Sequence, residues 1–370
     1  MIYLDHAATT PMLDSARQAM LEWMQPKKIG NPGSVHQNGK QAREAVELAR
    51  KRVAHLIGAK PEEIIFTSGA TESNALYRRL WITVATSAAE HSSNHRSSEK
   101  TIPVNQAGLV EEKTLDEFLT NDSEIEVVSA IFVNNETGAI NNIRRLANVA
   151  YRHGVLFHTD AAQALGHTEV DVDASKIDLM TIASHKLGGP MGVGALYVRK
   201  GLKDEISPMF YGGHQEFGLR PGTENVPAIA GFGAAANDAM KSLGRRREHF
   251  SKLYEAFTKT LQANMDRPFF FNGERGKNVN FVENIMSIHI PGIQGEALIL
   301  MLDTRDICVS AGSACNADSK TVSKTLLAMG LDKAEAAQTI RVSTGFNTTE
   351  EEVIEAAKAI SDACKIIAKF

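Results

Sequence analysis

Strands that alternate with helices through the first 250 residues predict an α/β protein with a mostly parallel sheet. Polar clusters that each follow a short apolar strand predict where that sheet binds its ligand. Residues 38–57 (NGKQAREAVELARKRVAHLI) put Ala42, Val46, Ala49, Val53 and Leu56 on one helical face. EEIIFT follows as a strand, and SGATESNAL reads as a turn opening a helix. Segment 124–133 (EIEVVSAIFV) is a buried strand ending at Asn134-Asn135-Glu136. RRLANVAYRHG is a helix stopped by Gly154, and VLFHTD is a strand ending at Asp160. IDLMTIASHK passes from strand to loop, and GALYVRKG follows it. From about Ser251 the pattern changes to a smaller α+β unit. Its last helix carries a capping signature at Thr348 with Glu351, and an apolar stripe of Val353, Ala357, Ile360, Cys364 and Ile367.

Four polar clusters come directly after strands: Ser68-Gly69-Ala70-Thr71, Asn135-Glu136, Asp160 with Gln163, and Ser184-His185-Lys186. Ligands of open α/β sheets bind at the carboxyl ends of the strands, so these clusters should converge in space.

Composition narrows the classes of function. A net charge of -4 speaks against a chain built to hold nucleic acid. The one basic run, Arg245-Arg246-Arg247, reads as a solvated helix face. No apolar run approaches the roughly 20 residues needed to span a bilayer, and the N-terminus MIYLDHAATTP lacks the pattern of a signal peptide. The three cysteines, Cys308, Cys315 and Cys364, fit neither a disulfide framework nor a zinc motif. A reducing, cytoplasmic setting is expected, with no metal. Cys364 sits on the core stripe and Cys308 in a strand, so both read as buried thiols.

Lys186 stands out by its context, ASHKLGGPMGVGALYV. A lysine at the ligand edge of the sheet can hold an aldehyde cofactor through its amine. Such a cofactor needs an acid for its pyridine nitrogen, and Asp160 is the candidate; the alternative is a helix N-cap, since AAQALG follows it. SGATES offers free amides at a helix N-terminus to a phosphate. It matches neither a dinucleotide fingerprint nor a nucleotide-triphosphate loop.

With these residues in place the sequence resembles the class V aminotransferase superfamily, and within it the cysteine desulfurases of the nitrogen-fixation and iron-sulfur-cluster branch. The motifs run nearly the whole chain: YLDHAATTP, GNPGSVH (30–36), FTSGATESN (66–74), VNNETGAI (133–140), HTDAAQ (158–163), SHKLGGPMGVGALYVR (184–199), GLRPGTENV (218–226), SAGSAC (310–315) and IRVSTG (340–345). The resemblance implies a fold type I pyridoxal-phosphate enzyme, with a large domain over 15–250 and a small one from 1–14 with 251–370. It also implies a homodimer whose site uses both subunits.

Carried over residue by residue, the resemblance makes Lys186 the cofactor lysine, Asp160 the partner of the pyridine nitrogen and Gln163 that of the ring hydroxyl. His91, in AEHSS, matches the histidine stacked on the ring. Ala70, Thr71 and His185, with Ser184 beside them, match the phosphate contacts, and Thr223 one that reaches across from the partner subunit. Asn135 lies near ring and substrate, Asn31 beside the substrate, and Arg341 clamps the substrate carboxylate. Cys315 is the nucleophile that takes sulfur from L-cysteine as a persulfide, for an acceptor such as an iron-sulfur scaffold or a thiolation enzyme. The rival readings are a selenocysteine lyase, cysteine-sulfinate lyase or transaminase on the same fold, and a non-catalytic relative. The chain departs from the family in a short 75–101 region, and in Ala183, His214 and Phe346, where Ser, Gly and Arg are usual.

Overall fold

The computed structural model describes residues 1–80, 83–95, 100–273, 279–312 and 322–369. Its strands, in chain order, are β1 (Ile2–Tyr3), β2 (Ile64–Thr67), β3 (Val84–Ser87), β4 (Lys100–Ile102), β5 (Val127–Ser129), β6 (Leu156–Asp160), β7 (Leu179–Ala183), β8 (Gly194–Val198), β9 (Phe270–Phe271), β10 (Ile285–His289), β11 (Ile307–Cys308) and β12 (Thr339–Ser343). The helices are α1 (Asp14–Trp23), α2 (Gln37–Leu56), α3 (Ala70–Tyr77), α4 (Glu112–Asn121), α5 (Ile143–Arg152), α6 (Val226–Asn264), α7 (Gly295–Asp303), α8 (Lys324–Ala328), α9 (Lys333–Ala337) and α10 (Glu350–Ile367).

Seven strands form the main sheet in the order β2-β8-β7-β6-β5-β3-β4. Only β8 runs against its neighbours; the other six share one direction. Both faces are covered, which is why strands such as IIFT and LMTIA are apolar at almost every position. Alternate residues feed opposite cores. Ile64, Phe66, Met180 and Ile182 join the core beneath α2, α5 and α6, whereas Ile65, Leu179 and Leu196 pack with Tyr77 on the other face. The shared direction matters most for function. It brings the loops after β2, β3, β5, β6 and β7 to one edge.

A second core gathers Ile2 and Leu4 with side chains from Leu253 to Cys364, around a three-stranded antiparallel sheet β12-β10-β9 and the parallel pair β1-β11. Each fully buried Leu or Phe there contributes about 1.5–3 kcal/mol. The change of pattern at Ser251 falls inside α6, whose 39 residues run from the first core (Phe232, Ala239) into the second (Leu253, Phe257, Leu261).

Local expectations are met with adjustments. The predicted 38–57 helix is α2, and the 124–133 strand keeps regular pairing only over Val127–Ser129. Beyond it the chain still follows β6 through Ala130 N to His158 O and Phe132 N to Asp160 O. The α10 cap lies one residue later than expected. Thr349 accepts from Glu352 N and Glu352 reaches back, while the Thr348 hydroxyl accepts from Gly345 N. The basic run is also not a wholly solvated face. Arg246 turns inward, 4% exposed, and bonds Ser242 Oγ and Asp238 Oδ1. Cys364 is fully buried as expected; Cys308, expected buried, is only partly so. No helix among the described residues is long and apolar enough to cross a membrane.

Candidate active site

The loops at that sheet edge enclose a cavity of about 930 Å³. The four polar clusters meet there: Ser68 to Thr71 after β2, Asn135 and Glu136 after β5, Asp160 and Gln163 at the end of β6, and His185 and Lys186 after β7. His91, after β3, and Arg341, from β12, complete the wall.

Lys186 is set by the tight turn that follows β7. Gly189 is needed there, because a Cβ would stand 2.1 Å from Ser184 Oγ. Gly188 has a φ of +88°, in the left-handed region, with Leu13 beneath it. The amine donates to the carbonyls of Ala7 and Ala8, the second at 2.7 Å. Ala7 O also accepts from Gln163 Nε2 at 2.8 Å, and Thr9 Oγ1 lies 3.1 Å from His185 Nδ1. The N-terminal segment therefore straps across the polar groups of the sheet edge.

Asp160 is 2% exposed. Its Oδ1 accepts from Ala162 N at 3.0 Å and its Oδ2 from Asn74 Nδ2 at 2.8 Å. No helix follows it, only turns, so the alternative reading as a helix N-cap is not met. At α3 the first amides have no side-chain cap, and among the described residues no atom beyond Gly69 and its chain neighbours lies within 4 Å of the position a Cβ on Gly69 would take. Open amides at a helix start attract an anion.

Arg341 is 1% exposed. Its Nη2 meets Asp5 Oδ1 at 2.8 Å, and its Nη1 donates to Asn135 O at 3.0 Å and Gly312 O at 3.3 Å. Among the described residues nothing accepts from its buried Nε. A buried donor of this kind awaits an acceptor.

Three expected residues do not line the cavity. Ser184 lies between two residues that do, Ala183 and His185, and its side chain faces the opposite way, fully buried against Gly189. Alternation of side chains along an extended segment explains this, and corrects the expectation that Ser184 contacts the phosphate. Asn31 and Thr223 are exposed; Asn31 Oδ1 accepts from Gly33 N in a local turn. Cys315 lies outside the described residues. On either side of its segment, Gly312 packs against Glu136 Oε2 and Val322 is part of the cavity wall.

The structure adds groups the sequence reading gave no role. Glu90 lines the cavity at 7% exposure, with Oε1 accepting from Ser87 Oγ and Ile131 N and Oε2 from Asn94 Nδ2. Burial, with the charge of Asp160 nearby, pushes its carboxyl up to about 8. Glu136 is 4% exposed, is likewise raised by burial, and receives the Ser323 hydroxyl at 2.5 Å. Phe346, at a departure from the family pattern, lies beneath the Arg246 guanidinium at 5.4 Å.

Burial holds His6, His158 and His185 neutral. Burial lowers His6 to about 4 and His185 to about 4, and puts His158, stacked on Tyr77 at 3.8 Å, well below its ordinary value. The unfolded chain takes up these protons near pH 6.5, where the folded chain does not. Their stabilising contribution is present above about pH 6.5 and is lost as pH falls toward 4, each with a slope up to about 1.4 kcal/mol per pH unit. Glu90 acts with the opposite sign. Its contribution is full below the ordinary carboxylate range and is lost as pH rises through about 8. Denaturation measured across pH should give maximal stability at about pH 6.5, with the decline from 6.5 to 8 made shallower in Glu90→Gln. A decline unchanged by this substitution contradicts the assignment.

These features define a phosphate-ready, lysine-bearing cavity at the ligand edge of an α/β sheet, and the comparisons agree with them. The model of the aminotransferase class-V family matches residues 2–355. The chain belongs to that family. It is 35% identical to the protein named cysteine desulfurase IscS of Dictyoglomus turgidum, covering 95% of this chain and 91% of that one. It is 38% identical to the protein of the same name from Rickettsia felis, over 95% and 88%. Among solved structures, the NifS-like protein of Rickettsia africae superposes with a TM-score of 0.89 at 31% identity, over 99% of both chains.

The family's cofactor is pyridoxal phosphate, and the residues present fit it. A primary amine and a buried carboxylate face one cavity, uncapped amides with open space lie at α3, and Gln163 offers an amide beside them.

Proposed function

We propose that the protein is a pyridoxal-phosphate-dependent cysteine desulfurase that converts L-cysteine to L-alanine and carries the sulfur as a persulfide on Cys315. The observation that carries the reading is that Lys186 and Asp160, at the ends of neighbouring strands β7 and β6, open into one cavity with Arg341 on its wall. Family membership and the desulfurase relatives support it.

Lys186 would attach the cofactor and Asp160 would meet its ring nitrogen, with Gln163 at the ring hydroxyl and His91 at the ring face. Ala70, Thr71 and His185 would hold the phosphate, and Thr223 would complete it from a second subunit. The bound cofactor supplies an electron sink for the substrate Cα. The chain's own residues do the rest. Arg341 and Asn135 bind the substrate, with Asn31 beside it, and among the described residues the buried Arg341 Nε is a donor without an acceptor. Lys186 Nζ takes the Cα proton, and a proton is returned to Cα before alanine leaves. The Cys315 thiolate then attacks the substrate sulfur: the S–S bond forms as the Cβ–S bond breaks, and Cβ takes the electron pair and a proton to become the alanine methyl.

The homodimer belongs to this proposal. Asn31 and Thr223 stand on segments that also expose Ile29, Val35, Phe210 and Tyr211, and exposed apolar side chains of this size suit a subunit interface. The sulfur acceptor, an iron-sulfur scaffold or a thiolation enzyme, and a cytoplasmic setting are further parts of it. The test is mass spectrometry of the Cys315 peptide after incubation with cysteine. One added sulfur, with alanine released, is expected; alanine without any adduct on Cys315 would overturn the persulfide.

Arg341→Lys checks the carboxylate clamp. A point charge loses the planar, forked donor set, so the cysteine KM should rise and kcat/KM should fall by about 2–3 kcal/mol. Steady-state kinetics at full cofactor loading measures this, and an unchanged KM places the carboxylate elsewhere.

A further inference from the structure

The short segment between β3 and β4 closes into a turn, Ser92–Asn94, for which His91 is the N-cap. The directions of its hydrogen bonds can be assigned one after another. The Asp160 carboxylate only accepts, so Asn74 must turn its Nδ2 toward Oδ2, 2.8 Å away. The second hydrogen on that nitrogen points to Ser93 Oγ at 2.9 Å. Ser93 Oγ therefore accepts from Asn74 and has its own hydrogen to give, and its neighbour is His91 Nδ1 at 2.7 Å. Independently, the Ser93 backbone N–H, which can only donate, meets the same Nδ1 at 3.2 Å. Both routes make Nδ1 an acceptor. The other tautomer would set two donors face to face.

We infer that Ser93 and Asn74 are positioning residues that lock neutral His91 with its proton on Nε2 and tie the ring to Asp160. The turn is fixed from its next residue as well. Asn94 donates to Glu90 Oε2 at 2.9 Å and Ser129 Oγ at 2.7 Å, and accepts from Tyr77 OH at 2.7 Å and Arg78 Nη2 at 2.9 Å. The His91 plane is thus set by side chains from α3, β5 and its own turn. The chemical consequence, which rests on the proposed role of His91 at the cofactor, is that the ring carries its one proton on Nε2. That nitrogen is not available there as a base, and that leaves proton removal to Lys186.

Two measurements on the holoenzyme test this. Long-range proton–nitrogen NMR of protein labelled with [¹⁵N]histidine, with His91 assigned by its loss in His91→Gln, should show the proton on Nε2 and a hydrogen-bonded, unprotonated Nδ1. A proton on Nδ1 overturns the inference and leaves the placement of His91 intact. In Ser93→Ala, kcat should fall by about threefold to tenfold, the share of one hydrogen bond, with the cysteine KM unchanged, and Ser93→Thr should restore it. An unchanged kcat, a loss seen equally in KM, or no rescue by threonine overturns the positioning role. Wild-type turnover by His91→Gln would instead remove His91 from the reaction, whatever its tautomer.

Discussion

Cys315→Ser should bind the cofactor and cysteine as the parent protein does, and yet release almost no alanine. Lys186, Asp160 and the open amides of α3 are set by the ends of β7, β6 and β2, so a spectral response to added cysteine should remain. What disappears is the attack on the substrate sulfur. A neutral hydroxyl is a far poorer nucleophile toward sulfur than a thiolate, and loss of a reacting nucleophile costs on the order of a thousandfold or more in turnover. Cys308→Ser and Cys364→Ser serve as controls. Cys364 is fully buried in the α10 core stripe, and Cys308 pairs with Tyr3 in the β1-β11 ladder, each with its thiol pushed above its ordinary value by burial. Both controls should keep turnover while Cys315→Ser loses it. Full alanine production by Cys315→Ser would defeat the desulfurase mechanism. Turnover of selenocysteine alone would favour a selenium lyase, since selenium can leave without thiol attack.

Lys186→Ala should be the more general lesion. It removes the amine that would attach the cofactor and the group proposed to move the Cα proton. Loss of a positioned proton-transfer group alone costs about 10²–10⁴-fold. Turnover should fall by at least that much, and borohydride should no longer fix the cofactor to the chain, whereas in the parent protein the label maps to the Lys186 peptide. A label on another lysine would move the site. The substitution also leaves Ala7 O to Gln163 alone and takes a donor from Ala8 O, so some loosening of the N-terminal strap is expected with it.

The placement of the polar clusters was legible because strand direction and apolar period are written locally. The sheet has only to run its strands one way for residues 68, 135, 160 and 186 to meet. The adjustments have equally local causes. Ser184 and Ala183 are adjacent, and one step along an extended chain reverses the face; sequence alone does not set that phase. Thr348 and Thr349 are both good caps, each with a Glu three residues on, so the choice between them falls to the hydroxyl of Thr348, which is engaged by Gly345 N. Glu90 had no role in the sequence reading because its burial depends on donors from β3's end, the following turn and the chain beyond β5, which only the folded sheet assembles. Asn74 lay inside a quoted motif, yet its link between Asp160 and Ser93 spans 86 residues on one side and 19 on the other.

The strap of residues 5–9 has a consequence for how the protein comes into being. Asp5 meets Arg341 across 336 positions, and Ala7 N meets Ser343 Oγ across as many. A ribosome has thus made the first wall of the site long before the last one exists. Contacts of such separation form late and slowly, because the intervening chain must be ordered first. The nascent sheet carries Lys186 and Asp160 at its edge while Arg341 is still unmade. The carboxylate clamp proposed for Arg341 therefore arrives only when β12 docks beside the N-terminal segment, which would make competence for turnover one of the last properties the growing chain acquires.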